Sequence, residues 1–208
     1  VQSAGNLKDI GLAMYSHASS NALRLPAEVR DGAGRPLLSW RVELLPYLEE
    51  ESLFNEFRRD EPWDSPHNKA LLKKMPRWYR SRWSDDEGLT RFRVFVGSGT
   101  PFERPGLTLT PDGLANTILV VEAAEAVPWT KPEELTYDPA GPLPPLGAGY
   151  SKADKFLCYE VRRRPGFNAF FGDGSVRFLV ADKVDERSLR ALISRNGGEQ
   201  VDVSRLEE

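Results

Sequence analysis

The chain has 208 residues, 40% of them hydrophobic and 28% charged, a composition that supports one folded domain and excludes wholesale disorder. Lys plus Arg total 28 against 31 acids, a formal net charge of −3, which argues against a generic nucleic-acid binder. A single cysteine, Cys158, excludes an intramolecular disulfide and a cysteine-rich zinc site, and no stretch reaches the roughly 20 apolar residues that span a bilayer.

Leu7, Ile10, Met14 and Ala18 recur at three- and four-residue steps and predict one face of a helix from about Ser3 to about Ser20, stopped by Asn21 and Pro26. The chain opens at Val1 directly inside this helical pattern, and the expectation is that further residues precede it in the native protein. Residues 31–36 read as a turn rich in glycine. Ser39 then caps a helix carrying Trp40, Leu44 and Leu45, which Pro46 breaks. Leu53, Phe54 and Phe57 mark another short helix. Ser65-Pro66 reads as a cap followed by proline at the first helical position, ahead of Leu71, Leu72 and Met75.

After this helical first third the period changes to two. Residues 91–96 predict a strand, and residues 118–122 a continuous apolar strand covered on both faces. Residues 127–150 hold six prolines and read as a long ordered surface loop, an insertion. Phe156–Val161 predicts a further strand. Phe167 to Phe171, the glycine turn Gly172-Asp173-Gly174, and Val176 to Leu179 predict a hairpin. Asp185 caps a last helix with Leu189, Leu192 and Ile193, which Asn196-Gly197 ends. Strands and helices do not alternate, so the expected class is α+β, one domain over residues 1–208, with a mostly antiparallel sheet.

No complete catalytic constellation is present. His17 and His67 are fifty residues apart and form no helical metal pair, and Gly97-Ser98-Gly99 lacks the pattern of a nucleophile turn. No glycine-rich phosphate loop occurs. The expectation is a protein that is not an enzyme. Two segments carry candidate binding chemistry. In Asp60-Glu61-Pro62-Trp63-Asp64-Ser65-Pro66-His67-Asn68, carboxylates flank a tryptophan, which suits a hard cation such as calcium or a stacking platform for a sugar. The plainer alternative is that Asp64 and Ser65 cap the next helix and Trp63 anchors the loop in the core. Asp173 in its glycine turn is a further candidate cation ligand, with a simple hairpin turn as the alternative. The metal candidates are therefore Asp60, Asp64 and Asp173, and the ligand-binding candidates are Trp63 and Trp129, with Trp78 nearby in character. Arg162-Arg163-Arg164 reads as a solvated strand end, or else as an anion site.

Several stretches together resemble a known family. They are Asn6 to His17, Leu37 to Glu49, Asp60 to Asn68, Val94 to Gly97, Asp112 to Ala123 and Phe167 to Phe178. The chain is similar over these to the planctomycete-type prepilin-like family, known chiefly as a domain of unknown function (fifteen-fifty-nine). That resemblance implies a short leader, a prepilin-peptidase site and an apolar anchor helix whose second half continues into the soluble head and packs on an antiparallel sheet. It also implies an envelope location on the extracytoplasmic side, with other pilin-like subunits or envelope proteins as partners. The stretch from Asp60 to Pro66 is similar to one in pseudopilins of type II secretion. Family members often carry histidine where this chain has Arg163.

Three functions follow as expectations. The first is a structural or assembly subunit whose head presents a surface to partners. The second is an extracytoplasmic module that binds a carbohydrate or other small ligand, supported if a pocket is lined by Trp63, Trp129 or Trp78. The third is a hydrolase using the carboxylates of residues 60–64, which needs two of them to converge in a cleft.

Overall fold

The computed structural model describes residues 2–81, 87–103, 116–147, 154–156, 159–161, 165–194 and 201–207. In chain order the elements are α1 (Gln2–Ser20), β1 (Val29–Arg30), β2 (Pro36–Leu38), α2 (Trp40–Glu43), α3 (Glu51–Glu56), α4 (Pro66–Ala70), β3 (Leu89–Arg93), β4 (Phe95–Val96), β5 (Ile118–Pro128), β6 (Leu135–Thr136), β7 (Asp154–Phe156), β8 (Tyr159–Val161), β9 (Gly166–Phe171), β10 (Val176–Val180) and α5 (Glu186–Ile193). Short 3-10 turns fill the steps between the small helices, at Leu45–Leu48, Leu71–Lys74 and Arg77–Tyr79. The class is α+β, as the pattern of the sequence requires. No helix among the described residues is long and apolar enough to cross a membrane.

The centre is a four-stranded antiparallel sheet in the order β10-β9-β5-β3. On one face lies α1. Its stripe Leu7, Ile10 and Met14 is wholly buried against Phe92, Leu119, Val120 and Phe170 of the sheet. The small helices extend this core with Trp40, Leu44, Leu45, Leu53 and Leu71. On the other face Ile118, Val121, Ala169, Phe171 and Leu179 meet Leu189, Leu192 and Ile193 of α5 and the C-terminal Val203 and Leu206. A strand sandwiched in this way buries both sets of alternate side chains, which is why residues 118–121 read as unbroken apolar sequence.

The caps come from the residues that the sequence marks for them. Ser39 accepts a hydrogen bond from the Arg41 amide, Ser65 from that of Asn68, and Asp185 from that of Ser188. The last turn of α1 ends differently from a proline stop. Ala22 and Leu23 both take left-handed backbone, at φ 52° and 59°, and the Leu23 amide folds back onto the Ala18 carbonyl at 2.7 Å. Two consecutive side-chain-bearing residues in that region are strained. Asn21 holds the turn by donating to the His17 carbonyl and to the Tyr47 hydroxyl.

Four expectations need correction. The strand predicted over 91–96 breaks at Val94, whose amide is donated to the Glu134 carboxylate at 2.9 Å instead of to a neighbouring strand. Phe95 and Val96 then leave the main sheet and pair in parallel with Leu135 and Thr136. The strand at 118 runs on to Pro128, with its ladder interrupted where Thr90 pairs with Val127 but Phe92 with Glu122. The segment 127–150 is not a bare surface loop over its described part, since Trp129, Thr130, Leu135 and Tyr137 are buried and Ala123 bridges Leu146. Finally, Phe156–Val161 is not one strand, because β7 and β8 pair antiparallel with Phe156 opposite Tyr159. The helix end expected at Asn196-Gly197 and the remainder of the proline-rich segment, 148–150, lie outside the described residues.

One contact seats α1 on the sheet. Gly11 faces the Phe170 ring so closely that a Cβ built on it would lie 2.1 Å from Cζ. Phe170 is fully buried, so the ring has no room to retreat. Gly11→Ala is expected to destabilise the protein by about 2 kcal/mol, because overpacking outweighs the gain of about 1 kcal/mol in helix propensity. Thermal unfolding followed by circular dichroism checks this, and a variant that melts at or above the parent temperature would show that α1 is seated otherwise.

Candidate functional site

The segment 60–68 is organised from within by one side chain. Asn68 is fully buried, and its Oδ1 accepts the Arg58 amide at 3.1 Å. Its Nδ2 faces the carbonyls of Arg58, Glu61 and Pro62 at 2.9, 3.1 and 3.1 Å. The loop between α3 and α4 is thus wound around an amide. Trp63 is half-buried against the core, its amide is donated to the Leu37 carbonyl, and Lys131 lies over its ring at 5.6 Å. Asp60 and Asp64 point to solvent, and Glu61 pairs with Arg58 at 2.9 Å. His67 contacts the Glu56 carbonyl, and His17 that of Arg24.

Trp129 does not serve as a ligand platform. It is completely buried, stacked on Tyr79 at 5.7 Å and edge-on to Phe57 at 5.6 Å, with its indole N–H donated to the Leu72 carbonyl. The large apolar ring belongs to the core between the small helices and the end of β5. Trp78 is half-buried under the Arg77 guanidinium.

The cation candidates are not brought together. Among the described residues no group of three or more carboxylate, histidine or cysteine side chains is placed to hold a metal ion. Asp173 is occupied by its own hairpin, with Ser175 N–H and Oγ on one oxygen at 2.8 and 2.6 Å and Arg177 on the other at 2.8 Å. Partial burial pushes its carboxyl up, but these hydrogen bonds outweigh that and hold it below the usual carboxylate range. The run Arg162-Arg163-Arg164, including the position where the family often has histidine, lies outside the described residues.

What the structure assembles instead is a buried ion pair between α2 and the proline-rich segment. Arg41 is fully buried and Glu134 is 7% exposed, with Nη1 and Oε1 2.9 Å apart. Every guanidinium nitrogen has a target. Nε and Nη2 donate to the Phe92 carbonyl at 2.9 and 2.8 Å, Nη1 also to Ser39 Oγ at 2.6 Å, and Nη2 also to Glu134 Oε2 at 3.2 Å. The carboxylate also accepts Trp40 Nε1 at 2.9 Å and the Val94 amide at 2.9 Å. Burial pulls the guanidinium down and pushes the carboxyl up, and each partner's charge opposes the other's shift. Tyr79, raised far above its ordinary value by burial, donates its hydroxyl to the Arg41 carbonyl at 2.7 Å.

Above this pair opens a cleft of about 400 Å³, within the range of small-molecule sites. Leu25, Pro26, Trp40 and Val94 form its buried base, with Glu134 beside them. Phe102, Glu28, Arg30, Pro132, Glu133 and Thr136 form its walls. Glu28 pairs with Arg30, and Glu133 pairs with Lys131 while Arg93 stands 3.9 Å away. The hydrogen bond from Lys131 holds the Glu133 carboxyl below the usual range. Trp40 is the tryptophan of the cleft, where the sequence pointed to Trp63 and Trp129. No local pattern marked it, since the same residue also reads as the apolar side of a helix.

Residues 1–100 match a family described as a protein of unknown function (DUF1559), the domain of unknown function that the stretches from Asn6 to Gly97 resemble. No curated protein and no solved structure gives a match.

Proposed function

We propose that this protein is the head of a pilin-like subunit of the cell envelope, structural or assembling in role rather than catalytic, a reading supported by the resemblance of its sequence to the prepilin-like family. The observation that carries the reading is α1 itself: a helix of 19 residues laid along an antiparallel sheet, its stripe Leu7-Ile10-Met14 fully buried. Such a helix joins a head rigidly to whatever continues its axis, and contacts with other pilin-like subunits or envelope proteins then fall to the head. Anchorage by an apolar helix upstream of α1, with the head on the extracytoplasmic side, is part of the proposal. The pseudopilin relationship belongs to it too.

Protease shaving of intact spheroplasts from the source organism tests it. The expected result is a head released from outside the membrane, from a reading frame with an apolar run of about 20 residues leading into α1. A head protected until the cells are lysed would overturn it.

A second reading is favoured by the cleft beside Trp40: an extracytoplasmic module for a small ligand.

A further inference from the structure

We infer that the cleft beside Trp40 takes a neutral, hydroxyl-rich ligand with one apolar face, the chemistry of a carbohydrate; the inference rests on the binding-module reading and names its ligand class. Two eliminations lead to it.

The first concerns charge. The lining carries Glu28, Glu103, Glu133 and Glu134 against Arg30, which alone would favour a cation. The neighbours cancel that excess. Glu134 is matched by Arg41 and Glu28 by Arg30, while Glu133 has Lys131 and Arg93 beside it. Glu103 is engaged as well. Among the described residues four cations, Arg30, Arg41, Lys131 and Arg93, thus stand beside these carboxylates, and an ion of either sign entering the cleft would lose its hydration for little net opposite charge.

The second concerns polarity. A wholly apolar ligand would strip water from Glu28, Arg30, Glu133 and Thr136 and return no hydrogen bonds in its place. A ligand that meets both conditions is uncharged, donates hydroxyl hydrogens to carboxylates and accepts from the Arg30 guanidinium and the Thr136 hydroxyl. The lining also asks for an apolar face. Phe102, Pro26 and Pro132 supply carbon surface next to the carboxylates, the pairing that a sugar ring presents with its C–H face and equatorial hydroxyls.

The cleft draws on α2, β4, β6 and the segments before β1 and after β4, so it exists only in the folded protein. Its floor is fixed by the Arg41–Glu134 pair, in keeping with a site formed in advance of its ligand.

The test is a titration of the isotope-labelled protein followed by amide shifts, with cellotriose, maltotriose and chitotriose as neutral probes and spermidine and citrate as charged ones. The expected result is shifts confined to Gly97, Glu134, Thr136 and the Trp40 indole N–H with at least one neutral saccharide. Glu133→Gln, at a side chain 44% exposed, is expected to weaken that binding about tenfold with the fold unchanged, and Phe102→Ala likewise. Shifts at these residues from spermidine or citrate alone would overturn the carbohydrate assignment while leaving a binding module. Shifts from none of the five, or saccharide shifts elsewhere that survive both variants, would overturn the ligand class and the module together.

Discussion

Glu134→Leu, made while Arg41 is kept, is expected to destabilise the protein by about 3–5 kcal/mol, the largest effect of any single substitution considered for this fold. The cost is not the loss of an attraction. It is the isolation of a guanidinium that is 0% exposed. Removing the carboxylate leaves that cation without a counter-charge and strands the Trp40 indole N–H and the Val94 amide as well. Water cannot replace the carboxylate without opening the joint between α2 and β3. The double variant Arg41→Met, Glu134→Leu is expected to recover about half of the loss, since it removes the buried charge but not the two stranded N–H groups. Chemical denaturation of the parent, both single variants and the double gives the coupling directly. A Glu134→Leu variant within about 1 kcal/mol of the parent would mean that the pair does not hold α2 against β3.

Asn68→Asp is expected to be the second most damaging change, costing about 3 kcal/mol, although the two side chains have the same shape. The difference is one of donors. In the parent the amide nitrogen faces three carbonyl oxygens, those of Arg58, Glu61 and Pro62. A carboxylate puts a negative oxygen in that place, so the three acceptors lose their donor and repel what replaces it. Asn68→Ala removes the repulsion but leaves the same carbonyls and the Arg58 amide unpaired, and is expected to cost somewhat less. The order of the two variants discriminates. If alanine is worse than aspartate, the residue acts through its volume and not through its donor. The segment 60–68 would then need another reason for its sequence. Lowering the pH until the introduced carboxylate is protonated is expected to narrow the gap between the Asn68→Asp variant and the parent, because a neutral acid regains one donor.

Much of the local structure was readable in advance, for one reason. The stripe of α1 and the caps at Ser39, Ser65 and Asp185 each depend on residues close together in the chain, a range over which spacing alone fixes geometry. The hairpin at Gly172 to Gly174 is similar, since a tight turn between two apolar runs sets its own register. The strand break at Val94 was not readable. It depends on a carboxylate 40 positions later in the chain. Nor was the role of Trp129, because a tryptophan after a proline looks the same whether it is displayed or packed under Phe57 and Tyr79.

The candidate site divides the same way. Trp63 and the acids around it are crowded together in sequence, yet their crowding serves a loop wound on Asn68. The cleft gathers Glu28, Trp40, Phe102 and Glu133 from stretches with nothing in common, and its floor rests on partners 93 positions apart. The amino-acid sequence by itself determined the α+β class, the buried stripe of the first helix and the capped helix starts, because periodicity and capping act over a few residues. Tertiary structure alone decided which charges are buried in pairs and where a cavity opens, because desolvation and cavity shape depend on which distant segments the packed core brings into contact.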